Sequence, residues 1–228
     1  MNSGSKTLFS LMLFAMAALP SLAQSVVVPD QKEAVRLYRQ SIIDSKNNRL
    51  YFDEIDRCRT HNREKRYPQA IDSCRRAIEL AQRLPTEKIL ERQSGYIQVG
   101  IAYLRQSRSD LAVNFFEKGL EIGRQLLDDS DSETGEIYFL IGQAHHVGGE
   151  VQKAVEFYEK AESSMRAAFA AIGDDKDGIR SHYPVLISYI LEAHLRLLAD
   201  SKDILGAAAL QKRVDEFKKE FGTYLTTN

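Results

Sequence analysis

Apolar residues recur along the chain with a helical period. Tyr96, Val99, Tyr103 and Leu104 stand at i, i+3, i+7 and i+8, one face of a helix. Leu111, Phe115 or Phe116, Leu120 and the run 122–126 mark a second helix. Between them "RQSRSD" is short and polar, and Ser109 or Asp110 is placed to cap the second helix with its side chain. The pattern returns 42 residues later, with "VGGE" as the connection: "AVNFFEKGLEI" (112–122) becomes "AVEFYEKAESS" (154–164). Gly142 then falls on Gly100, Tyr138 on Tyr96, Ala154 on Ala112 and Tyr158 on Phe116. A second shift puts Ala112 on Ala70, Phe116 on Cys74, Gly119 on Ala77 and Leu120 on Ile78. The unit is a helix, a tight turn and an antiparallel helix. One such pair cannot bury its own apolar face, so pairs stack until the core is continuous.

The recurring sizes have a packing reason. Two helices approach closely only where no side chain stands between them. Gly100 with Ala112, and Gly142 with Ala154, are read as those crossings, and Gly119 and Ala161 as a second narrow contact against the following helix.

At these residues the chain resembles a known family. "YIQVGIAYLRQSRSDLAVNFFEKGLEI" and "YFLIGQAHHVGGEVQKAVEFYEKAESS" look like tetratricopeptide repeats. The usual period is about 34 residues. The longer one here is similar to the extended repeats of the kinesin light chain group. The unit at 53–84 matches on its second helix only, since Glu54 and Arg57 occupy slots that are usually bulky and apolar. Residues 179–221 read as a divergent fourth pair, with helices around 181–198 and 204–217. Before the array, Ala34, Tyr38 and Ser41 repeat the spacing of Ala70, Cys74 and Ala77, so residues 31–43 are read as an unpaired helix capping the open end. The expected fold is all-α: a right-handed α-solenoid, a TPR-like superhelix of about four antiparallel pairs plus the N-terminal capping helix. Its expected limits are 49–222, preceded by an N-terminal segment at 24–48.

The resemblance implies that first helices line a concave groove that holds a peptide or helix of a partner. The implied inner-face positions are Arg59 and Arg63, then Ile97, Gln98, Ile101 and Arg105, then Phe139, Leu140, Gln143 and His146. That groove is apolar in its middle and basic toward its N-terminal side. Ile97 or Phe139 could equally belong to the core. The paired Asn and Lys of the family's carboxylate-clamp branch are missing, so that specificity is not expected.

The leader is separate. "MNSGSK", the apolar run 7–19 and "PSLAQ" form the n-region, h-region and small-x-small site of a secretory signal peptide at 1–23, cut after Ala23. The apolar run is shorter than the ~20 residues a span needs. An exported chain, periplasmic or secreted, is the expectation. It changes the reading of the two cysteines. Cys58 and Cys74 face each other in a hairpin turning near residue 66. They are a disulfide in an oxidising compartment, or else two buried thiols acting as small hydrophobes.

Other chemistry is thin. His145 and His146 are adjacent and point to different faces, so they cannot form the i, i+4 pair of a zinc site. His145 is read as core. His61, His182 and His194 stand alone. "DDSDSETGE" (128–136) has acids on alternate residues, but its Gly comes one place late for a calcium loop and Leu140 stands where the bidentate Glu belongs. It reads as a solvated connection with Asp131 or Ser132 capping the next helix, and "GDDKDG" (173–178) reads the same way. Formal net charge is -1, which offers no global field for nucleic acid. No phosphate loop, nucleophile elbow or metal ligand set is found; neither an enzyme nor a cofactor is expected. Two functions stay open: an exported interaction scaffold with a protein or peptide partner, and a self-associating structural protein forming a homo-oligomer through its ends or convex face.

Overall fold

The computed structural model describes residues 31–85, 89–172 and 182–225. The expected signal segment and the 173–178 loop lie outside them. The described residues form eight helices: α1 (Gln31–Arg63), α2 (Tyr67–Ala81), α3 (Ile89–Leu104), α4 (Ser109–Gly123), α5 (Ser132–Val147), α6 (Val151–Ala171), α7 (His182–Asp200) and α8 (Ile204–Leu225). The chain divides into two compact units, Met1–Ile43 and Asp44–Asn228.

In the first unit the residues read as a capping helix, 31–43, are helical. Residues 31–43 continue without a break into the helix that ends at Arg63. Neither Pro nor Gly stands between Gln31 and Arg63 to stop the helix. Val35, Leu37, Tyr38, Ile42 and Ile43 are exposed.

The second unit is an all-α solenoid. Its four pairs are the later part of α1 with α2, then α3 with α4, α5 with α6, and α7 with α8. Each pair turns by one device. Lys65, Ser107, Gly149 and Lys202 all have positive φ, between 58° and 76°. The first three are 42 residues apart. A left-handed residue just past a helix lets the following N–H reach back five residues and satisfy an orphan carbonyl. Arg66 N donates to His61 O at 2.8 Å, Arg108 N to Tyr103 O at 3.0 Å, Glu150 N to His145 O at 2.9 Å and Asp203 N to Leu198 O at 3.0 Å. Only Gly149 holds this conformation without a Cβ penalty. Ser107→Gly is therefore expected to stabilise the protein by about 1 kcal/mol, read as a higher denaturant midpoint.

The expected side-chain caps are not made. α4 starts at Ser109 with Arg108 at the cap position, and no side chain caps it. Asp131 holds the cap position of α5, but its carboxylate accepts from Asp128 N at 2.6 Å instead. The connection is further tied by Tyr138, whose hydroxyl donates to Asp129 at 2.5 Å and accepts from Arg124 at 2.8 Å. The Tyr138 hydrogen bond holds the Asp129 carboxyl below the usual range.

Gly100 and Gly142 are close contacts, but what stands nearest to them is a ring of the partner helix and not Ala112 or Ala154. A Cβ on Gly100 would lie 2.4 Å from the Phe116 ring, and one on Gly142 2.7 Å from the Tyr158 ring. Phe116 and Tyr158 are fully buried. Gly119 is also a narrow contact, but against Ile97 and Gln93 of its own partner α3, not against the following helix. In the first pair Cys58 and Cys74 take the place of the Gly–aromatic contact and are joined as a disulfide, Cα to Cα 5.2 Å. Glu54, in a slot that elsewhere is apolar, accepts from Arg57 at 2.6 Å and Arg76 at 3.0 Å. The last pair is tied to the third by buried Glu162, which accepts from Arg166 at 2.8 Å and from Arg213 of α8 at 2.7 Å. The outer face of α8 is polar and exposed at Gln211, Lys212, Asp215 and Glu216, as a terminal solenoid helix requires.

Candidate groove along the first helices

Three adjoining cavities run along α1, α3, α5 and α7. The first, about 950 Å³, is lined by Arg59, Arg63, Gln98, Ile101 and Arg105, with Lys65 and Tyr67 at the turn into α2. The second, about 490 Å³, shares Ile101 and Arg105 with it and adds Leu140, Gln143 and His146. The third, about 340 Å³, shares Gln143, Ala193 and Arg196 with the second and adds Phe139. The shared residues make the three one continuous groove. All of them lie in the second unit.

Nine of the ten residues read as inner-face from the sequence line this groove. Ile97 does not. Its Cδ1 lies 2.6 Å from where a Gly119 Cβ would stand, so the side chain fills the space that glycine leaves. Forty-two residues on, Ala161 stands in the Gly119 slot and Phe139 in that of Ile97. Phe139 stays at the groove wall, its ring 5.8 Å from Tyr158.

The groove also takes residues that the repeat pattern did not reach. Leu186, Tyr189, Ile190, Ala193 and Arg196 come from α7. Because that pair diverges, no 42-residue shift could align it. The signal available was local: Leu186, Ile190 and Ala193 are spaced at i, i+4 and i+7, one helical face.

His146 and Tyr158 line the second cavity, and His145 and His194 are buried outside its lining. His146 lies 3.4 Å from Tyr158 Oη and 3.4 Å from Asp200. His145 is buried, stacks on Phe157 with centroids 5.5 Å apart, and reaches Glu150 at 2.5 Å. His194 is buried with its ring 5.8 Å from that of Tyr158, and burial pushes its pKa down. An unfolded histidine takes up its proton at about pH 6.5. Folded His194 binds its proton only at lower pH, so the unfolded state binds more protons in between. Stability is therefore complete above that value and is lost as pH falls toward the lower folded pKa. A urea titration series should show the midpoint dropping over this window, and His194→Gln should flatten the drop.

Among the described residues no three His, Cys, Asp or Glu side chains come together as a metal set. No helix among them is long and apolar enough to cross a membrane.

Residues 91–167, within α3 through α6, match the tetratricopeptide repeat family. No curated protein matches the sequence. Among solved structures the chain is similar to a Podosopora anserina protein titled for kinesin light chain and nearly identical TPR-like repeats. The identity is 13% and the TM-score 0.46, over 76% of this chain and 97% of that one. It is similar also to BtubC (BKLC) from P. vanneervenii, at 15% identity and a TM-score of 0.45, over 84% of this chain and 87% of that one. Tetratricopeptide repeats are in general protein-interaction folds without catalytic function.

Proposed function

We propose that this protein is an exported, non-enzymatic scaffold that holds a peptide or helical segment of a partner protein in the groove of its first helices. One observation carries the reading: the middle cavity shares lining residues with each of the other two, Arg105 at one junction and Gln143 at the other. Concave troughs of this size with apolar walls and a few polar groups are the usual seat of a ligand.

The test is position-specific photocrosslinking in the native extract. A benzophenone side chain at Gln143 should join to a partner peptide, and Arg105→Glu with Gln143→Lys should abolish capture while leaving the helical signal intact. The same probe at Lys118, exposed on α4, should capture nothing. Capture at Lys118 but not at Gln143 would sink the groove reading and favour the outer face, where copies could pair.

Export rests on the leader. The mature protein should begin at Gln24 when recovered from the periplasm or medium, read by N-terminal sequencing. A cell-retained protein that still starts at Met1 would remove this part of the proposal.

A further inference from the structure

The two ends of the groove carry different chemistry. At the α1/α3 end, four cations line the cavity, Arg59, Arg63, Lys65 and Arg105, with Asp56 as the one carboxylate in its lining. Arg59 is already engaged, 3.6 Å from Asp56 and donating to Ser94 Oγ at 3.3 Å. Arg63 reaches only the neutral Thr60 hydroxyl, at 3.2 Å. Among the described residues Arg63, Lys65 and Arg105 have no ion-pair partner, and all three are exposed. Three unneutralised cations around one concavity concentrate a positive potential there. The guanidinium forks suit carboxylate oxygens.

At the α5/α7 end the wall is apolar. Phe139, Leu186, Tyr189 and Ile190 line the cavity, which also meets Glu136, Arg196 and Glu192, the last paired with Lys218 at 3.0 Å. Tyr189 is 61% exposed, a large aromatic with one face open to the groove region. The cavity volume of about 340 Å³ fits one or two large side chains.

We propose, on the basis of the groove reading, that the partner segment is itself two-ended. Acidic residues sit at the α1/α3 end and apolar anchor side chains at the α5/α7 end, so the segment binds in one direction only. A nucleic acid does not fit this division. Its phosphates ask for cations along the whole track, and the far end is mostly apolar, with Arg196 the one cation in its lining.

The experiment is selection of a random-peptide phage library on the whole chain, in parallel on three variants whose changed side chains point to solvent or the groove. These are Arg63→Glu with Arg105→Glu, Tyr189→Ser, and Gln143→Lys. Wild type should enrich peptides with acids at one end and bulky apolar residues at the other, and added salt should weaken them. The charge-reversed pair should lose the acidic excess and select bases in its place. Tyr189→Ser should keep the acids and lose the apolar requirement.

Groove-dependent enrichment without acidic excess, or an acidic excess untouched by the charge reversal, overturns the two-ended partner while leaving the groove reading standing. Enrichment that is the same on Gln143→Lys as on wild type, or none at all, removes the groove reading and this proposal with it. Displacement of the selected peptides by a single-stranded oligonucleotide of matched charge, more effectively than by free selected peptide, would overturn it in favour of nucleic acid.

Discussion

Replacing Gly100 by valine is expected to open the α3/α4 pair, with a loss of about 3 kcal/mol or more. The new Cβ would stand 2.4 Å from Cε1 and 2.6 Å from Cδ1 of Phe116, distances no side chain tolerates. Phe116 is fully buried, and Ala112, Val99 and Ala102 around it are also buried, so the ring has nowhere to turn. Overpacking of this kind usually costs about 1–3 kcal/mol, and valine adds two methyl groups beyond the clashing Cβ. Gly100→Ala separates the effects. Alanine gains about 1 kcal/mol of helix propensity over glycine, so the clash is the net loss plus that gain. Urea unfolding followed by circular dichroism reads both variants. Phe116→Leu should recover part of the loss in a double-mutant cycle, since the two sites touch. A Gly100→Val midpoint equal to wild type would show that the pair can part without cost and that this crossing does not hold the array.

The second large effect belongs to the first pair. Changing Cys58 and Cys74 together to alanine should lower stability by about 3 kcal/mol, from the loop-closure entropy of a bridge spanning 16 residues. At roughly 2–4 °C per kcal/mol for a domain of this size, the first pair should melt about 6–12 °C earlier. Reductant should produce the same shift in wild type and none in the double variant. Both sulfurs are fully buried, so reduction should be slow until that pair opens. Two thiols titratable in the unfolded, unreduced protein, with no response to reductant, would show that the pair is held by packing alone. The consequence would be local. α1 and α2 bring fewer large apolar residues than the middle pairs, and Glu54 with Arg57 and Arg76 occupies space that Tyr96 and Tyr138 fill elsewhere.

Both effects are legible from residue sizes. Small and large positions recur at 42 residues because each pair meets its neighbour in the same way, and Cys58 and Cys74 stand in two of those positions. The caps depart from expectation for a related reason. Ser109, Asp110 and Asp131 have the right chemistry at helix starts, but the helices after the tight turns start directly behind a Schellman-type turn. There Arg66, Arg108 and Glu150 hold the cap positions, and none of them caps with its side chain. Asp131, in the longer connection between pairs, spends its carboxylate on the loop instead. Three of the four left-handed residues are Lys or Ser, which carry no glycine signature.

Residue order alone determines the periodic features: helix, turn, helix and the small slots at Gly100 and Gly142; it sets Cys58 opposite Cys74 without deciding between a bridge and two thiols, and the inward face of α1, α3 and α5 comes from the family resemblance. Periodicity reports how each residue sits against its own neighbours, and the periodic features depend on nothing further. The stacked structure decided the rest. It let Ile97 fall into the gap beside Gly119 while Phe139, facing Ala161, stayed at the wall. It brought α7 across to close the groove, joined the cavities at Arg105 and Gln143, and gathered Arg63, Lys65 and Arg105 at one end without carboxylate partners. The reason is that depth, junction and local charge balance arise between helices far apart in sequence, where a single methyl group changes which side chain reaches the surface.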